Sequence, residues 1–363
     1  MGSIKYYKQG VKLNMELDKY LPSELAQIDK LDNAIPKIAK DERLISIINQ
    51  TLQSLPTWHD FHRIDSRKAT FIEPNSVHLA LTSPPYWTLK EYRDGPDQLG
   101  HVDDYTEFLA ALDEIWQICL DALVPGGRLI CVVGDVCLSR RNNQGEHTVV
   151  PLHAAIQEHC RTLGFSNLAP IIWHKIANAS YEVEGNSRFL GKPYEPNGVI
   201  KNDIEYILML RKPGGYRSPS KAQRILSVIA DKDHKTWFQQ IWQGLNGAST
   251  KGHPAPYPLD LANRLIRMFS FAGDTVLDPF MGSGTTNLSA AIAGRNSIGL
   301  EVDPVYLDMA ATRFRRETET LFSHPVLRVH AHEDAANGQI RKDAAGGDPV
   351  FLDEACRANR SPG

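Results

Sequence analysis

Short apolar segments alternate with amphipathic helical segments along most of this chain, and no other feature restricts its fold as strongly. Helical patterns such as "DDYTEFLAALDEIWQICLDAL" and "PVYLDMAATRFRRET" separate the strand-like segments. Strands that alternate with helices predict an α/β fold with a mainly parallel sheet covered on both faces. The strand-like segments are "SVHLALTS", "RLICVVGD", "LAPIIWHK", "IEYILMLRK", "DTVLDPF" and "NSIGLEVD".

The two ends of the chain and one internal region depart from this pattern. Apolar residues at roughly helical spacing predict a helical N-terminal segment that is interrupted at Pro36. Loops rich in Gly, Pro, Ser and Asn interrupt the alternation between about 176 and 250. After about 325 the chain is polar and rich in Gly, Ala and Asp, which predicts a loose tail.

Composition limits the cellular compartments and the classes of protein to which the chain can belong. No apolar run approaches the ~20 residues of a membrane span, and the N-terminus "MGSIKYYKQG" lacks the apolar region of a secretion signal. The five cysteines are odd in number and have no CxxC spacing, which argues against a zinc site or a disulfide framework. We therefore expect a cytoplasmic protein with no metal site. The net charge of −3 does not indicate a polyanionic partner, so charge has to be assessed locally.

A glycine loop, Gly282–Gly284, follows the apolar segment that ends at Asp278 and opens a helix. In an open parallel sheet this position binds ligands, outside the carboxyl end of a strand. A P-loop would need a lysine, which is absent here, and Asn287 stands where a dinucleotide fingerprint needs its third glycine. Phosphate binding is therefore poorly supported, and a plain strand-to-helix turn remains the alternative.

The next strand-like segment, "NSIGLEVD", carries Glu301 near its carboxyl end. An acidic side chain there can accept hydrogen bonds from both hydroxyls of a ribose. Together with Asp278 and the glycine loop, it predicts a nucleoside ligand with a cationic group and few phosphates. S-adenosyl-L-methionine (AdoMet) fits this description, whereas an exposed strand-end carboxylate is the alternative.

The segment "LALTSPPYW" ends a buried strand in two prolines, which remove two backbone donors and fix two φ angles. With "DPFMGSGTT" and "GLEVDPVY" much later in the chain, it resembles the β-group DNA amino-methyltransferases, in which the catalytic motif precedes the AdoMet-binding motif. The resemblance covers roughly 60–318 and includes "GGRLICVVGD", "PIIWHK" and "HPAPYPLDLANRLI". It implies a Rossmann-like AdoMet-dependent methyltransferase fold with an antiparallel strand, a circularly permuted motif order and an inserted target-recognition region.

The resemblance also implies how the chain is organised. The expected parts are a helical N-terminal segment (1–58), the catalytic half (59–175), a target-recognition insertion (176–250, with strand 204–212 in the sheet), the AdoMet-binding half (251–322) and a polar tail (323–363).

The four residues Ser83, Pro84, Pro85 and Tyr86 are the predicted catalytic group. An exocyclic amine of cytosine or adenine is a poor nucleophile, because its lone pair is delocalised into the ring. The Ser83 Oγ and the Pro84 carbonyl can accept the two N–H bonds of the amine, and the prolines hold that carbonyl rigid. Tyr86 offers a flat face to a base that is flipped out of the duplex.

The resemblance assigns further cofactor contacts. The segment "HPAPYP" matches the family segment that closes over the methionine end of AdoMet, although a Pro-rich helix start is the alternative. Asp65 stands where family members accept a hydrogen bond from the adenine amine, although a plain surface Asp is the alternative. The predicted cofactor residues are Asp65, His253, Ala255, Pro256, Asp278, Phe280, Gly282, Ser283, Gly284, Thr285 and Glu301.

The absence of a cysteine that follows a proline limits which atom of the base can accept the methyl group. Methylation of cytosine C5 would need a cysteine nucleophile, typically after a proline, and no cysteine here follows a proline. A serine at the first position of the catalytic motif resembles the N4-cytosine enzymes, whereas Asp or Asn is usual in N6-adenine enzymes. N4 of cytosine is therefore predicted, with N6 of adenine as the runner-up. Core positions are expected for Cys119, Cys131, Cys137 and Cys160.

A basic segment between Tyr206 and Ala230 contains five basic and no acidic residues. Basic side chains with aromatic residues nearby predict a DNA-contacting surface, and a solvated basic loop is the alternative. Its basic residues are Arg211, Lys212, Arg217, Lys221 and Arg224. The expected partners are double-stranded DNA and a separately encoded restriction endonuclease, and the protein is expected to be a monomer or homodimer. A non-catalytic AdoMet- and DNA-binding partner and an RNA or small-molecule methyltransferase remain alternative functions.

Overall fold

A computed structural model of the chain describes residues 16–87, 97–138, 143–175, 202–245, 247, 257–321 and 325–332. Contacts divide the chain into a unit Met1–Ala331, which contains every helix and strand named below, and a unit His332–Gly363. Within the described residues, no helix combines the length and apolarity that a bilayer span requires.

The strands form one nine-stranded mixed sheet and one separate two-stranded pair. They are β1 (Trp58–Arg63), β2 (Val77–Thr82), β3 (Leu123–Val133), β4 (Val136–Leu138), β5 (Thr148–Val150), β6 (Ser166–His174), β7 (Ile204–Arg211), β8 (Ile241–Trp242), β9 (Thr275–Asp278), β10 (Asn296–Glu301) and β11 (Val326–Ala331). The large sheet has the order β11-β1-β10-β9-β2-β3-β7-β6-β8, and β4 pairs with β5. Of the nine, only β7 runs against the others, which confirms the predicted mainly parallel sheet with an antiparallel strand.

Helices cover both faces of the sheet. They are α1 (Ser23–Ala26), α2 (Leu31–Lys40), α3 (Glu42–Gln53), α4 (Tyr105–Ala122), α5 (Leu152–Leu163), α6 (Lys221–Leu226), α7 (Asp231–Trp237), α8 (Leu259–Phe269), α9 (Thr285–Ile292) and α10 (Pro304–Thr318). One face packs against α4 and α5 through a core that includes Phe108 and Leu152. The other packs against α8, α9 and α10 through residues such as Leu265 and Phe314.

Local sequence signals set several of these boundaries. Helix α5 ends at Gly164, whose φ of 113° suits a residue without a Cβ. Helix α10 begins with Pro304 after Asp303, whose carboxylate accepts a hydrogen bond from the Val305 amide at 2.7 Å. The predicted helices over α4, α5, α8, α9 and α10 are therefore confirmed.

The order of the strands creates one reversal point at the centre of the sheet. The connection after β9 leads to β10 on one side, and the connection after β2 leads to β3 on the other. Strands β9 and β2 are direct neighbours, paired through Leu79–Val276 and Ala80–Leu277. Ligands in open α/β sheets bind at such a point, outside the carboxyl ends of the strands. We call the side of the sheet where β2, β3 and β9 end the carboxyl edge, and the opposite side the amino edge.

Five strands were missed by the sequence patterns: the short strands β4, β5 and β8, and two neighbours at one end of the large sheet, β1 and β11. β1 pairs parallel with both β10 and β11, so the chain near 326–331 is an edge strand and not part of a loose tail. β1 lacks an apolar alternation because its buried positions include histidines. His59, for example, bonds Thr57 at 2.9 Å and Ser297 at 2.7 Å in the interior.

Two expectations about helices also need correction. Pro36 lies inside α2 and does not interrupt it, and the break falls at Asp41, whose side chain accepts from the Arg43 and Leu44 amides at the start of α3. The region predicted to be loops also contains α6 and α7. Helix α6 begins with a capping box between Ser220 and Gln223, a three-residue spacing that the sequence displays.

Candidate active site

The catalytic turn, Ser83–Tyr86, leaves the end of β2 at the carboxyl edge. The Ser83 Oγ donates a hydrogen bond to the Tyr86 hydroxyl at 3.2 Å, so the two ends of the turn contact each other. Pro84 and Pro85 are buried and Ser83 is half-buried. Tyr86 is only 5% exposed, so its ring offers little free face in this conformation.

The glycine loop leaves the neighbouring strand β9 at the same edge. Gly282 and Gly284 have φ angles of 51° and 74°, in the left-handed region that favours glycine. A Cβ at Gly284 would lie 3.1 Å from the Cβ of Ala310 on α10, so this glycine also permits close packing of the loop on that helix. The loop backbone is thereby held against the cavity at the carboxyl edge.

Glu301, at the end of β10, is tied to the glycine loop. Its Oε2 accepts from the Gly282 amide at 2.8 Å and its Oε1 from the Asp303 amide at 2.9 Å. Burial raises the pKa of this carboxyl group to about 7. Each carboxylate oxygen can accept a second hydrogen bond, so the side chain retains capacity for hydroxyl donors of a ligand.

Asp278 lies beneath the cavity and does not line it. The side chain is 1% exposed, and burial raises the pKa of its carboxyl group. Its Oδ1 accepts from the Thr82 hydroxyl at 2.7 Å and the Phe280 amide at 3.1 Å. Its Oδ2 accepts from the Thr286 hydroxyl at 2.5 Å and the Tyr257 hydroxyl at 3.4 Å.

Asp65 lines the cavity from the turn after β1. Its carboxylate accepts from the Arg67 guanidinium, with Nη2 at 2.8 Å from Oδ2, and from the Arg67 amide at 3.0 Å. The adjacent Ser66 hydroxyl donates to the Pro279 carbonyl, so this turn is joined to the chain before the glycine loop. Asp65 therefore reaches the cavity as a positioned carboxylate and not as a plain surface residue.

Most of the predicted site residues meet around one cavity at the carboxyl edge. Those that line it are Asp65, Ser83, Pro85, Phe280, Gly282, Ser283, Thr285 and Glu301. Pro84, Tyr86, Asp278 and Gly284 belong to the same turn and loop but are not in its lining. His253, Ala255 and Pro256 lie outside the described residues.

Sequence reasoning missed several lining residues. Tyr257 lies within the quoted segment "HPAPYP" and Tyr306 ends the quoted segment "GLEVDPVY", so both could have been found from the sequence, whereas Ile115 on α4 carries no local signal. Tyr257 also bonds the Thr286 hydroxyl. Burial raises the pKa of the Tyr257 hydroxyl well above its ordinary value.

The chemistry of the lining fits AdoMet. The carboxyl groups of Asp65, Asp97 and Glu301 line the cavity, whereas Arg67 and Lys68, which pair with Asp65 and Asp97, are not in the described lining. A described lining with acceptor groups and no lysine or arginine suits hydroxyl and amine donors of a ligand better than a phosphate-rich ligand. Ile115, Leu300 and Phe280 add apolar surface suited to a base, and Glu301 can accept from ribose hydroxyls.

The basic segment does not lie at this cavity. Because β7 runs antiparallel to β3, Arg211 at its end is paired with Arg128 near the start of β3, at the amino edge. The reversal of β7 therefore carries the predicted DNA-contacting residues, Arg211, Lys212, Arg217, Lys221 and Arg224, to the edge opposite the catalytic turn.

All five basic side chains make contacts within the chain, which join β7, α6 and the N-terminal helices to the amino edge. Arg211 donates to the Tyr216 hydroxyl (2.8 Å), Lys212 to the Leu123 carbonyl (2.7 Å), Arg217 to the Asp274 carboxylate (2.7 Å), Lys221 to the Ala26 carbonyl (2.6 Å) and Arg224 to the Asp32 carboxylate (2.6 Å). Helix α6 buries Ala222, Ile225 and Leu226 in the same cluster as Ile48 and Leu52 of α3.

The cysteines are core residues for the most part. Cys119, Cys131 and Cys160 are buried, and burial raises the pKa of each thiol. Cys137 is only half-buried, which differs from the expected core position. Buried thiols with raised pKa values are poor nucleophiles, in agreement with an amine and not cytosine C5 as the acceptor.

One group of potential metal ligands lies away from the cavity, where β1 and β11 pair. Asp60, His62 and His330 bring one ligand atom each within 4.8 Å of one another. Arg328, however, pairs with both oxygens of Asp60, at 2.5 and 2.8 Å. The described contacts are those of an ion-pair cluster that fastens the edge strand.

The chain is similar to several known proteins. The N6/N4 methyltransferase family model, described as DNA methylase, matches residues 77–312, from the start of β2 into α10. The Type II methyltransferase M.MjaI of Methanocaldococcus jannaschii is 34% identical over 66% of this chain and 85% of its own length. M.MthZI of Methanothermobacter thermautotrophicus is 30% identical over 76% of this chain and 81% of its own length. The structure of a DNA modification methylase of Thermus thermophilus, TTHA0409, complexed with S-adenosyl-L-methionine, is 47% identical with a TM-score of 0.62, and the match covers 76% of this chain and 99% of that one.

Proposed function

The chain belongs to the N6/N4 DNA methylase family of AdoMet-dependent enzymes, and from this premise we propose that it methylates the exocyclic N4 amine of a flipped cytosine in double-stranded DNA. The observation that carries the proposal is that Ser83 lines the same cavity as the glycine loop and Glu301. A hydroxyl acceptor for the amine and the cofactor residues thus share one cavity.

Two acceptors activate the amine. The Ser83 Oγ and the Pro84 carbonyl each take one amine N–H, so that the nitrogen lone pair turns away from the ring and towards the methyl donor. Pro84 and Pro85 fix the backbone of the turn before the substrate arrives, which lowers the reorganisation needed in the transition state. The serine is also the reason for choosing cytosine N4, because its hydroxyl can donate to the neighbouring N3 as well as accept from the amine.

The cofactor is held from the opposite side of the cavity. When bound, AdoMet supplies a methyl group on a positively charged sulfur, which is already activated for transfer. Glu301 would accept from the ribose hydroxyls, Asp65 would accept from the adenine amine, and Phe280 would pack against the base. Gly282, Ser283 and Thr285 would line the rest of the cofactor site. The sequence resemblance assigns residues 253–256, which lie outside the described residues, to the methionine end.

Tyr86 is the residue proposed to stack on the flipped base. Its ring is nearly buried in the present conformation, so a stacked base requires the surroundings of the ring to open when DNA binds. For enzymes that act on a base, such a reorganisation is part of the cost of base flipping.

The DNA contacts are assigned to the carboxyl edge. β6 ends at His174 and β7 begins at Ile204 on this edge, since β7 reverses direction. Residues 176–201, which connect these two strands, lie outside the described residues and belong to the expected target-recognition insertion. We assign base recognition to the segments that leave this edge. A separately encoded endonuclease would cleave the same site when it is unmethylated.

The test is to incubate the protein with AdoMet and mixed-sequence double-stranded DNA, digest the DNA and identify the modified nucleoside by mass. N4-methylcytosine is expected. Detection of N6-methyladenine alone would show that the acceptor is adenine N6, the runner-up. AdoMet binding without methyl transfer to any DNA would indicate a non-catalytic partner. Single-stranded DNA and RNA as parallel acceptors separate a DNA enzyme from an RNA enzyme.

A further inference from the structure

We propose that Asp278 is a positioning residue, which fixes the catalytic turn relative to the glycine loop, and that it does not bind the cofactor. The inference rests on the proposed function for the identity of the reaction. It applies equally whether the methylated amine belongs to cytosine or to adenine.

The carboxylate of Asp278 is enclosed by groups of the protein itself, and the side chain is 1% exposed. A carboxylate offers about four lone-pair positions. The Thr82 hydroxyl, the Phe280 amide and the Thr286 hydroxyl donate to three of them, and the Tyr257 hydroxyl, which also bonds Thr286, lies 3.4 Å from Oδ2. The side chain is also absent from the cavity lining. A ligand could reach it only by displacing one of these bonds.

The four groups around the carboxylate come from four different parts of the site. Thr82 is the residue directly before Ser83, and Phe280 lies between β9 and the glycine loop. Thr286 is in the first turn of α9, and its hydroxyl oxygen lies 3.3 Å from the Leu81 carbonyl of β2. Tyr257 lines the cavity just before α8. One buried carboxylate therefore sets the position of both halves of the reaction site.

The geometry matters because a displacement of about 1 Å between reacting groups can reduce a rate by about 100-fold. Thr82 is bonded through its side chain to Asp278 on the neighbouring strand, so the start of the catalytic turn cannot slide relative to the end of β9. Loss of that bond leaves the cavity lining intact but frees the Ser83 hydroxyl to move.

The decisive variant is Thr82→Val, which keeps the shape of the side chain and removes only the donor. We expect kcat to fall by about 10- to 100-fold, while KM for DNA and Kd for AdoMet stay within about threefold. Hydrogen exchange of a peptide spanning 82–87 should accelerate in the absence of any substrate. Thr82→Ser, which restores the donor, should recover both kcat and exchange protection.

Thr318→Val is the matched control. Thr318 is also a buried threonine, but its hydroxyl donates only to the Phe314 and Arg315 carbonyls at the end of α10. We expect this variant to lower the melting temperature without changing kcat or the exchange of 82–87.

Asp278→Asn tests the competing role as a cofactor ligand. The amide loses acceptor capacity on one side, so we expect a lower kcat with a nearly unchanged Kd for AdoMet. A rise in that Kd as large as the fall in kcat would overturn the proposal in favour of direct binding. Unchanged kcat and unchanged exchange in Thr82→Val would also overturn it, whichever base the unmodified enzyme methylates.

Discussion

The Oε2 atom of Glu301 lies 2.8 Å from the backbone nitrogen of Gly282, so the acidic residue after one strand holds the glycine loop after its neighbour. The pKa of this carboxyl group is raised to about 7 by burial in the protein without cofactor. Ribose hydroxyls that donate to the carboxylate favour its charged form and lower that pKa. Cofactor binding should therefore be coupled to loss of a proton.

The first prediction is that AdoMet binds more weakly as the pH falls through about 7. Below that pH Glu301 is protonated in the free protein and must lose its proton before it can accept two ribose hydroxyls. Linkage gives a decrease in affinity of about tenfold between about pH 8 and about pH 6. Calorimetry in buffers of different ionisation heats should detect proton release near neutral pH.

Glu301→Gln is the control for this effect. The amide retains one acceptor and cannot titrate, so its weaker AdoMet affinity should be nearly independent of pH over the same range. A pH dependence that persists unchanged in this variant would assign the proton to another group.

The second prediction concerns Ser83. Ser83→Ala removes one of the two acceptors for the amine, and mutations of single preorganised hydrogen-bonding groups lower kcat by about 100- to 1,000-fold. AdoMet affinity should change little, because the hydroxyl is proposed to contact the acceptor base and not the cofactor. Rates measured in a single turnover separate the chemical step from product release.

Ser76→Ala is a matched control at the other end of the same strand. The Ser76 hydroxyl donates to the Glu73 carbonyl at 2.6 Å and lies far from the carboxyl edge. Its removal should leave single-turnover rates unchanged. If Ser83→Ala were equally harmless, the role given to the serine hydroxyl would have to be abandoned.

The sequence predicted those parts of the site whose signal is local. Ser83, Gly282 and Glu301 each stand at the end of an apolar strand, and parallel strands bring such ends to one edge. The role of Asp278 could not be predicted in the same way, because its partner Thr82 is 196 positions away in the chain. A strand-tip carboxylate looks the same in sequence whether it faces a ligand or buried donors of the protein itself.

The basic segment shows a second limit of local patterns. Counting charges between Tyr206 and Ala230 identifies a cationic stretch, but the direction of β7 decides which edge of the sheet receives it. That direction depends on the pairing of Val133 with Tyr206 and of Arg128 with Arg211, which is a long-range property. β1 was missed for a related reason. Its buried His59 bonds Thr57 nearby and Ser297 far away in the chain, and the second of these partners gives no local signal.

The third prediction separates the ring of Tyr86 from its hydroxyl. Tyr86→Phe keeps a stacking face and loses the hydroxyl that contacts the Ser83 Oγ, so we expect kcat to decrease by about 3- to 10-fold. Tyr86→Ala should lose most of the turnover, because base–aromatic stacking contributes about 1–3 kcal/mol. AdoMet affinity, measured by equilibrium binding, should survive both changes.

Since Tyr86 is buried, Tyr86→Ala is also expected to lose about 3 kcal/mol of stability, and the kinetics should be measured well below its melting temperature. Equal losses of turnover and of AdoMet affinity in this variant would show that Tyr86 belongs to the cofactor pocket.

The fourth prediction is structural and concerns Arg217. Its guanidinium pairs with Asp274, which is 1% exposed, so Arg217→Ala leaves a buried carboxylate without its main counter-charge. Breaking such a pair lowers the free energy of unfolding by about 3 kcal/mol. Urea denaturation should show this loss, whereas Lys235→Ala, which breaks the exposed pair with Asp231, should cost less than about 1 kcal/mol.

The fifth prediction follows from the position of the basic segment at the amino edge. If Arg211 and Lys221 contacted DNA phosphates, replacing both by alanine would reduce the slope of log K against log salt by about 2, since each phosphate contact contributes about 0.9. We expect the double variant to keep the slope of the unmodified protein and a DNA affinity within about twofold. The measurement is a salt titration of binding to a duplex in the presence of a non-reactive cofactor analogue. Neutralising a side chain that contacts only its own chain leaves the number of displaced counterions, and therefore the slope, unchanged. A slope reduced by two units would show instead that these residues contact DNA.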